Sequence, residues 1–208
     1  MALVKYNNNS LSAVTSVASM PSGAMTLIKS QTASSASTID FLNGTSDVVF
    51  DGTYPIYIFK FINIHPSADS SDLGFQVDTG TNTSYNQTIT STAFQVGHAE
   101  NDSETALGYE ASDDQAQGSG FQMITQTNAG NANDESSSGE LWIFSPSNTT
   151  FVKHFMARLN TVWSSDGSFE KYTAGYINTT TALTRVRFKF DSGNIDAGTI
   201  KLYGIKDS

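Results

Sequence analysis

The sequence contains no cysteine. That excludes disulfides, thiolate nucleophiles and cysteine metal sites, and leaves packing or association as the source of stability. Charged residues make up only 15%, against about a quarter in an average soluble domain. Lysine and arginine are absent from Phe61 through Val152, a stretch that carries Asp69, Asp72, Asp78, Glu100, Asp102, Glu104, Glu110, Asp113, Asp114, Asp134, Glu135 and Glu140. An acidic middle and a formal net charge of −9 argue against nucleic acid as a partner, because basic side chains supply most affinity for phosphates. No run approaches the roughly 20 apolar residues of a membrane-spanning helix, so membrane insertion is not expected. The first twenty residues lack a basic start followed by an apolar run, since Asn7, Asn8, Asn9, Ser10, Ser12, Thr15 and Ser16 interrupt them. No signal peptide is therefore expected.

Aromatic residues are plentiful, with 13 Phe, 8 Tyr and 2 Trp, and they recur with the period of two that marks strands. In Tyr54 to His65, Ile56, Ile58, Lys60 and Ile62 share one side and Tyr57, Phe59, Phe61 and Asn63 the other. Both sides are largely apolar, which predicts a central strand framed by Pro55 and Pro66. Asp51-Gly52 between Asp47–Phe50 and Thr53 onward predicts a hairpin turn. Leu141 to Pro146 predicts a buried strand pairing with Phe151 to Leu159. Val186, Phe188 and Phe190 alternate with Arg185, Arg187 and Lys189; after a turn at Asp191 to Gly198, Ile200 and Leu202 alternate with Lys201 and Tyr203. These two runs predict a C-terminal hairpin with one basic, wet face. Ser103 to Ala111 predicts one or two helical turns capped by Ser103. Many short strands and long polar loops predict an all-β fold: a jelly-roll-like antiparallel β-sandwich over residues 36–208, with an extended N-terminal arm over residues 1–35. The arm is polar but for Leu3, Val4 and Tyr6 and a short strand candidate at Met25 to Lys29. It reads either as a loosely attached end or as a segment that orders against a partner.

Chemistry is thin. The three histidines, His65, His98 and His154, lack metal-ligand spacing. His154 reads as structural, and His98 with Glu100, Asp102 and Glu104 as a solvated acidic loop. Asp191 to Asp196 lacks the ligand spacing and terminal Glu of a calcium loop. No nucleophile elbow, P-loop or dinucleotide fingerprint occurs. The expectation is a protein without catalytic residues, cofactor or metal. Of the two tryptophans, Trp142 alternates with Leu141 and Ile143 and is assigned to the core. Trp163, beside Ser164-Ser-Asp-Gly, is the better candidate for stacking on a sugar.

The segments Tyr57 to Pro66, Glu140 to Pro146, Thr150 to Phe155, Thr173 to Tyr176 and Ser192 to Ile205, taken together, resemble a family of virion structural proteins of tailed phages of marine bacteria. The likeness spans about residues 40–205, and it carries no functional residue with it. It implies a jelly-roll-like exterior component of the particle, assembled in the host cytoplasm and located on the virion. Capsid decoration fits better than a tail fibre, because no long repetitive shaft is present. The expected partners are the major capsid protein or another virion component, met through the arm residues Leu3, Val4 and Tyr6, and further copies of the chain in a homotrimer. Arg185, Arg187 and Lys189 are the candidate subunit contact, and charge reversal at Arg187 is expected to weaken assembly without unfolding the monomer. Host-surface glycan bound by a carbohydrate-binding module is the alternative, through Trp163 and the loops at 97–118 and 128–139.

Overall fold

A computed structural model describes residues 25–125 and 128–206. The arm residues Leu3, Val4 and Tyr6 lie outside the described residues. Within them the protein is all-β, with thirteen strands and no helix. Two antiparallel sheets form a sandwich. The nine-stranded sheet contains β1 (Met25–Thr32), β3 (Ile56–Pro66), β5 (Ile89–Ala99), β6 (Thr105–Tyr109), β7 (Ala116–Gly118), β9 (Ser137–Phe144), β10 (Lys153–Trp163), β11 (Gly167–Ile177) and β13 (Ile195–Ile205). The four-stranded sheet contains β2 (Ile39–Leu42), β4 (Leu73–Thr79), β8 (Gln122–Met123) and β12 (Leu183–Phe190).

The pairing is nested. β1 pairs with β13, β2 with β12, β3 with β9 and β4 with β8. The chain thus behaves as a folded ribbon whose successive limbs alternate between the sheets. Two excursions, β5 to β7 and β10 with β11, widen the larger sheet beyond β9 in the order β9-β10-β11-β5-β6.

This winding corrects the expected C-terminal hairpin, since β12 and β13 lie in different sheets. The reason is hydrophobic. Val186, Phe188 and Phe190 on one run and Ile200 and Leu202 on the other are all buried in one core. Two apolar faces bury more surface facing each other across a sandwich than lying side by side in one plane. Phe188 reaches the other sheet, with its ring edge-on to Phe59 at 5.0 Å and to Phe61 at 5.2 Å between centroids. β3 is central as expected, between β13 and β9, and its inner side chains Tyr57, Phe59 and Phe61 sit in the core.

Three further expectations are revised. Residues 47–53 form no hairpin. Val48 and Phe50 turn inward from a loop closed by the Asn43 side chain, which accepts a bond from the Phe50 amide at 2.8 Å. Residues 103–111 form no helix, because Thr105, Leu107 and Tyr109 pair with His98, Val96 and Phe94 of β5. A strand edge offers five residues a ladder that an isolated helical turn cannot match. Met25–Thr32, assigned to the arm, is an edge strand of the larger sheet, so the sandwich begins before residue 36.

Candidate functional site

The three cations expected to form a basic contact face project from the outer side of β12, and two of them, Arg187 and Lys189, meet groups of their own chain. Arg187 makes a two-pronged ion pair with Asp40 of β2, Nη2 to Oδ2 at 2.5 Å and Nε to Oδ1 at 2.6 Å. Its guanidinium also lies 3.9 Å from the ring centre of Tyr85. Lys189 stands over the Phe121 ring at 4.5 Å. Arg185 keeps its Nε buried without a hydrogen-bond partner among the described residues. Loops fold over this sheet because β4 carries buried polar side chains on its outer side. Asp78 accepts bonds from the Tyr85 amide and the Asn82 side chain, and Gln76 donates to the carbonyls of Gln87 and Gly120. The basic stripe is a fastening for these loops. Arg187→Ala is therefore expected to destabilise the fold by about 1–3 kcal/mol, through loss of a partly buried bidentate pair and a ring stack. The measurement is the denaturant midpoint, with oligomeric state unchanged.

The outer side of the larger sheet is different in kind. Nine large apolar side chains are exposed among the described residues. Alternation and register put seven of them on this side: Met25, Leu27, Ile62, Phe94, Leu107, Tyr109 and Met156. Tyr203, Ile58, Trp142, Met156 and Ala174 follow one another across five strands in a single row. A neighbouring row runs Lys60, Glu140, Arg158, Tyr172, Phe94 and Tyr109. Between the rows lies a groove of about 460 Å³ lined by Phe94, Glu140, Trp142, Phe144, Met156 and Tyr172. Its rings are ordered by one another. Phe94 and Tyr172 stack at 4.8 Å with 4° between planes, Arg158 lies 5.3 Å over Tyr172, and Trp142 leans on Phe144 at 6.4 Å. The charges there are paired within the face, Lys60 with Glu140 and Arg158 with Glu170. The Arg158 hydrogen bond holds the Glu170 carboxyl below its ordinary range. For Glu140, burial works upward as the largest single effect, but the hydrogen bonds from Lys60 and Trp142 and the charges of Lys60 and Arg158 together outweigh it and the carboxyl is held low.

The two tryptophans exchange their assigned places. Trp142 faces outward into the groove, while Trp163 turns its half-buried ring edge-on to Phe169 at 5.3 Å as part of the packing. His154 also faces outward, beside Tyr176 at 6.2 Å. The period that put Leu141 and Ile143 inside required Glu140, Trp142 and Phe144 to lie outside, and that was the signal available in the sequence.

A second concentration of polar groups lies inside the sandwich. Lys171 on β11 is fully buried and bonds Asp113 and the carbonyl of Thr125, the latter at 2.9 Å. Asp72 is buried nearby. Burial first, and then the Asp113 charge, push its carboxyl up from the ordinary 3.8 to about 7, against a downward pull from Lys171. Glu110 is raised for the same two reasons. Asp72 gains its proton on folding between these pH values. Its contribution to stability is fully present below the unfolded value and is lost as pH rises through the folded one. Asp72→Asn is expected to remove on the order of 2–4 kcal/mol of this pH dependence between about pH 4 and pH 8. Chemical denaturation of both proteins across that range measures the difference. Among the described residues no three His, Cys, Asp or Glu side chains converge in a way that could hold a metal ion. Comparison with known family models, with curated proteins and with solved structures finds no match.

Proposed function

We propose that the chain is a non-enzymatic structural protein of a tailed-phage particle, carried on the virion exterior, and that the outer side of its larger sheet is a contact surface between subunits. The observation that carries the reading is the one-sidedness of the exposed apolar surface: among the described residues, seven of the nine large exposed apolar side chains lie on one sheet face. Solvated sandwiches keep such faces polar, and a continuous apolar patch marks an interaction surface. A second copy of the chain is the favoured occupant. At a net charge of −9, most of the molecule repels its own kind, but the charges at the groove on this face are paired with one another, Lys60 with Glu140 and Arg158 with Glu170. A homotrimer is the favoured assembly. The nested strand pairing supports a jelly-roll body, and the resemblance to virion proteins of marine tailed phages supports decoration of the capsid.

Sedimentation equilibrium of the purified chain tests this contact. A concentration-dependent oligomer is expected, and a monomer at every concentration would contradict it. For the arm, the informative truncation ends at residue 24, because a cut at residue 35 also removes β1 from the sheet. The shorter deletion is expected to leave a folded sandwich that no longer joins the particle.

The groove favours one further reading, a platform for host-surface glycan. Trp142 and the stacked Phe94–Tyr172 pair offer flat apolar faces, and Glu140 and Arg158 offer hydrogen-bonding groups beside them. Binding on a glycan array that Trp142→Ala abolishes supports this reading; absence of binding at high protein concentration removes it.

A further inference from the structure

The interior cluster around Lys171 has a composition that a simple ion pair does not require. A fully buried ammonium is accompanied by the buried carboxyls of Asp113 and Asp72, with Glu110 coupled to the same charges. Lys171 projects from β11 toward the opposite sheet. Its Nζ donates to Asp113 Oδ2 and to the Thr125 carbonyl, so that two contacts fix the nitrogen beside the Asp113 carboxyl carbon. Asp72 is tied to the same place through the backbone. The next residue, Leu73, donates its amide to Thr125 Oγ1 at 2.7 Å and accepts from the Ile124 amide at 2.8 Å. Asp113 is held in turn by Gln122, whose side chain donates to the Asp113 carbonyl at 2.7 Å, and Gln122 also accepts from Ser91 at 2.6 Å.

From this arrangement we infer that Lys171 and Asp113 form a covalent amide cross-link inside the folded protein, with Asp72 as the neighbouring acid. One proton passes within the ion pair, leaving a neutral amine and a neutral carboxylic acid. The Nζ lone pair attacks Asp113 Cγ and a C–N bond forms. Asp72 donates its proton to the departing oxygen and takes one from the nitrogen, so it ends as it began. The Cγ–O bond breaks and one water leaves. Atoms, charge and oxidation state balance, and no external reagent is needed. Three physical conditions favour the step. Burial of an ion pair costs desolvation that a neutral amide avoids. A fixed contact supplies an effective concentration on the order of 10⁵–10⁸ M. Exclusion of water disfavours the return reaction. Asp72, buried with its Oδ1 accepting from the Asn128 amide at 3.1 Å and with its carboxyl raised to about 7 by burial, supplies the general acid. The product ties β11 to the loop after β6 across 58 residues of chain, doing in a cysteine-free protein what a disulfide does elsewhere.

The test is the intact mass of the full chain, folded at neutral pH and then denatured. The expected mass is one water below that of the sequence. Proteolysis is expected to yield one branched species joining the peptide with Asp113 to the peptide with Lys171, and no cleavage after Lys171. Lys171→Arg keeps the cation but is expected to restore the full mass, and Asp72→Asn to slow the loss of water at least tenfold. Wild-type protein at its full mass after prolonged incubation would overturn the cross-link, and so would a water loss mapping to Asp51-Gly52. Equal rates in Asp72→Asn and wild type would overturn the role of Asp72. Wild-type mass requires no variant to fold, and the result is independent of any assembly on the outer face.

Discussion

Met156→Glu is expected to convert the assembled protein to monomers while leaving its thermal stability within about 0.5 kcal/mol of wild type. Met156 is 56% exposed in the free chain, so a charge there remains hydrated and costs the fold little. In an assembly that covers the groove, the same carboxylate would lie between Trp142 and Ala174 with no cation assigned to it. An unpaired buried charge costs about 3–5 kcal/mol, which is roughly a 10²- to 10⁴-fold loss of affinity. Leu107→Glu, 78% exposed on the edge strand β6, is expected to act in the same direction more weakly, because a rim charge can turn toward water. Phe151→Glu provides the control. Phe151 is 69% exposed but lies outside the seven-residue face, and its replacement is expected to leave assembly intact. Sedimentation and thermal unfolding of the three variants separate the two quantities.

Phe188→Ala is expected to destabilise the monomer by about 3–5 kcal/mol. Phe188 is fully buried and meets Phe41 at 6.2 Å within its own sheet and Phe59 and Phe61 across the core. All three contacts are edge-to-face, the geometry in which ring quadrupoles attract. The truncation removes a ring from the middle of the interface between the sheets, where neighbours on two rigid ladders cannot collapse into the space. A domain of this size has only about 5–15 kcal/mol in total, so the variant is expected to lose roughly a fifth or more of its stability. The denaturant midpoint measures it, at an unchanged slope if the unfolded ensemble is the same.

These two outcomes follow from features of different legibility. The sides of the strands could be read directly, because a period of two is a local property. Phe59 and Val186 fall in the core, and Ile58 and Arg187 on the outer sides, where alternation puts them. The sheet to which a strand belongs could not be read in that way. β12 and β13 are close in sequence and each has one apolar side, a pattern that a hairpin and a crossover share. Only the nested pairing of β1 with β13 and β2 with β12, across most of the chain, decides between them. Residues 103–111 were misread for a related reason, since Ala, Leu and Glu favour a helix locally and the partner strand is supplied from elsewhere. The basic stripe was legible as a stripe, but its partners Asp40, Tyr85 and Phe121 are brought by other segments. Trp142 was hidden by an assumption that an apolar strand is buried on both sides. β9 is apolar on both, and its outer side is exposed to the groove. The Lys171 cluster left no trace in the sequence, because its residues are scattered from Asp72 to Lys171 and each alone resembles a solvated charge.

The central claim is that the outer side of the nine-stranded sheet is covered in the working assembly. Hydroxyl-radical footprinting of the free chain and of the chain in its oligomer or particle tests it side chain by side chain. The expected result is strong protection on assembly of Met156, Phe94, Leu107 and Tyr109, with Phe151 and Val49, exposed elsewhere on the molecule, labelled equally in both states. Equal labelling of Met156 and Phe94 in the free and assembled states would contradict it.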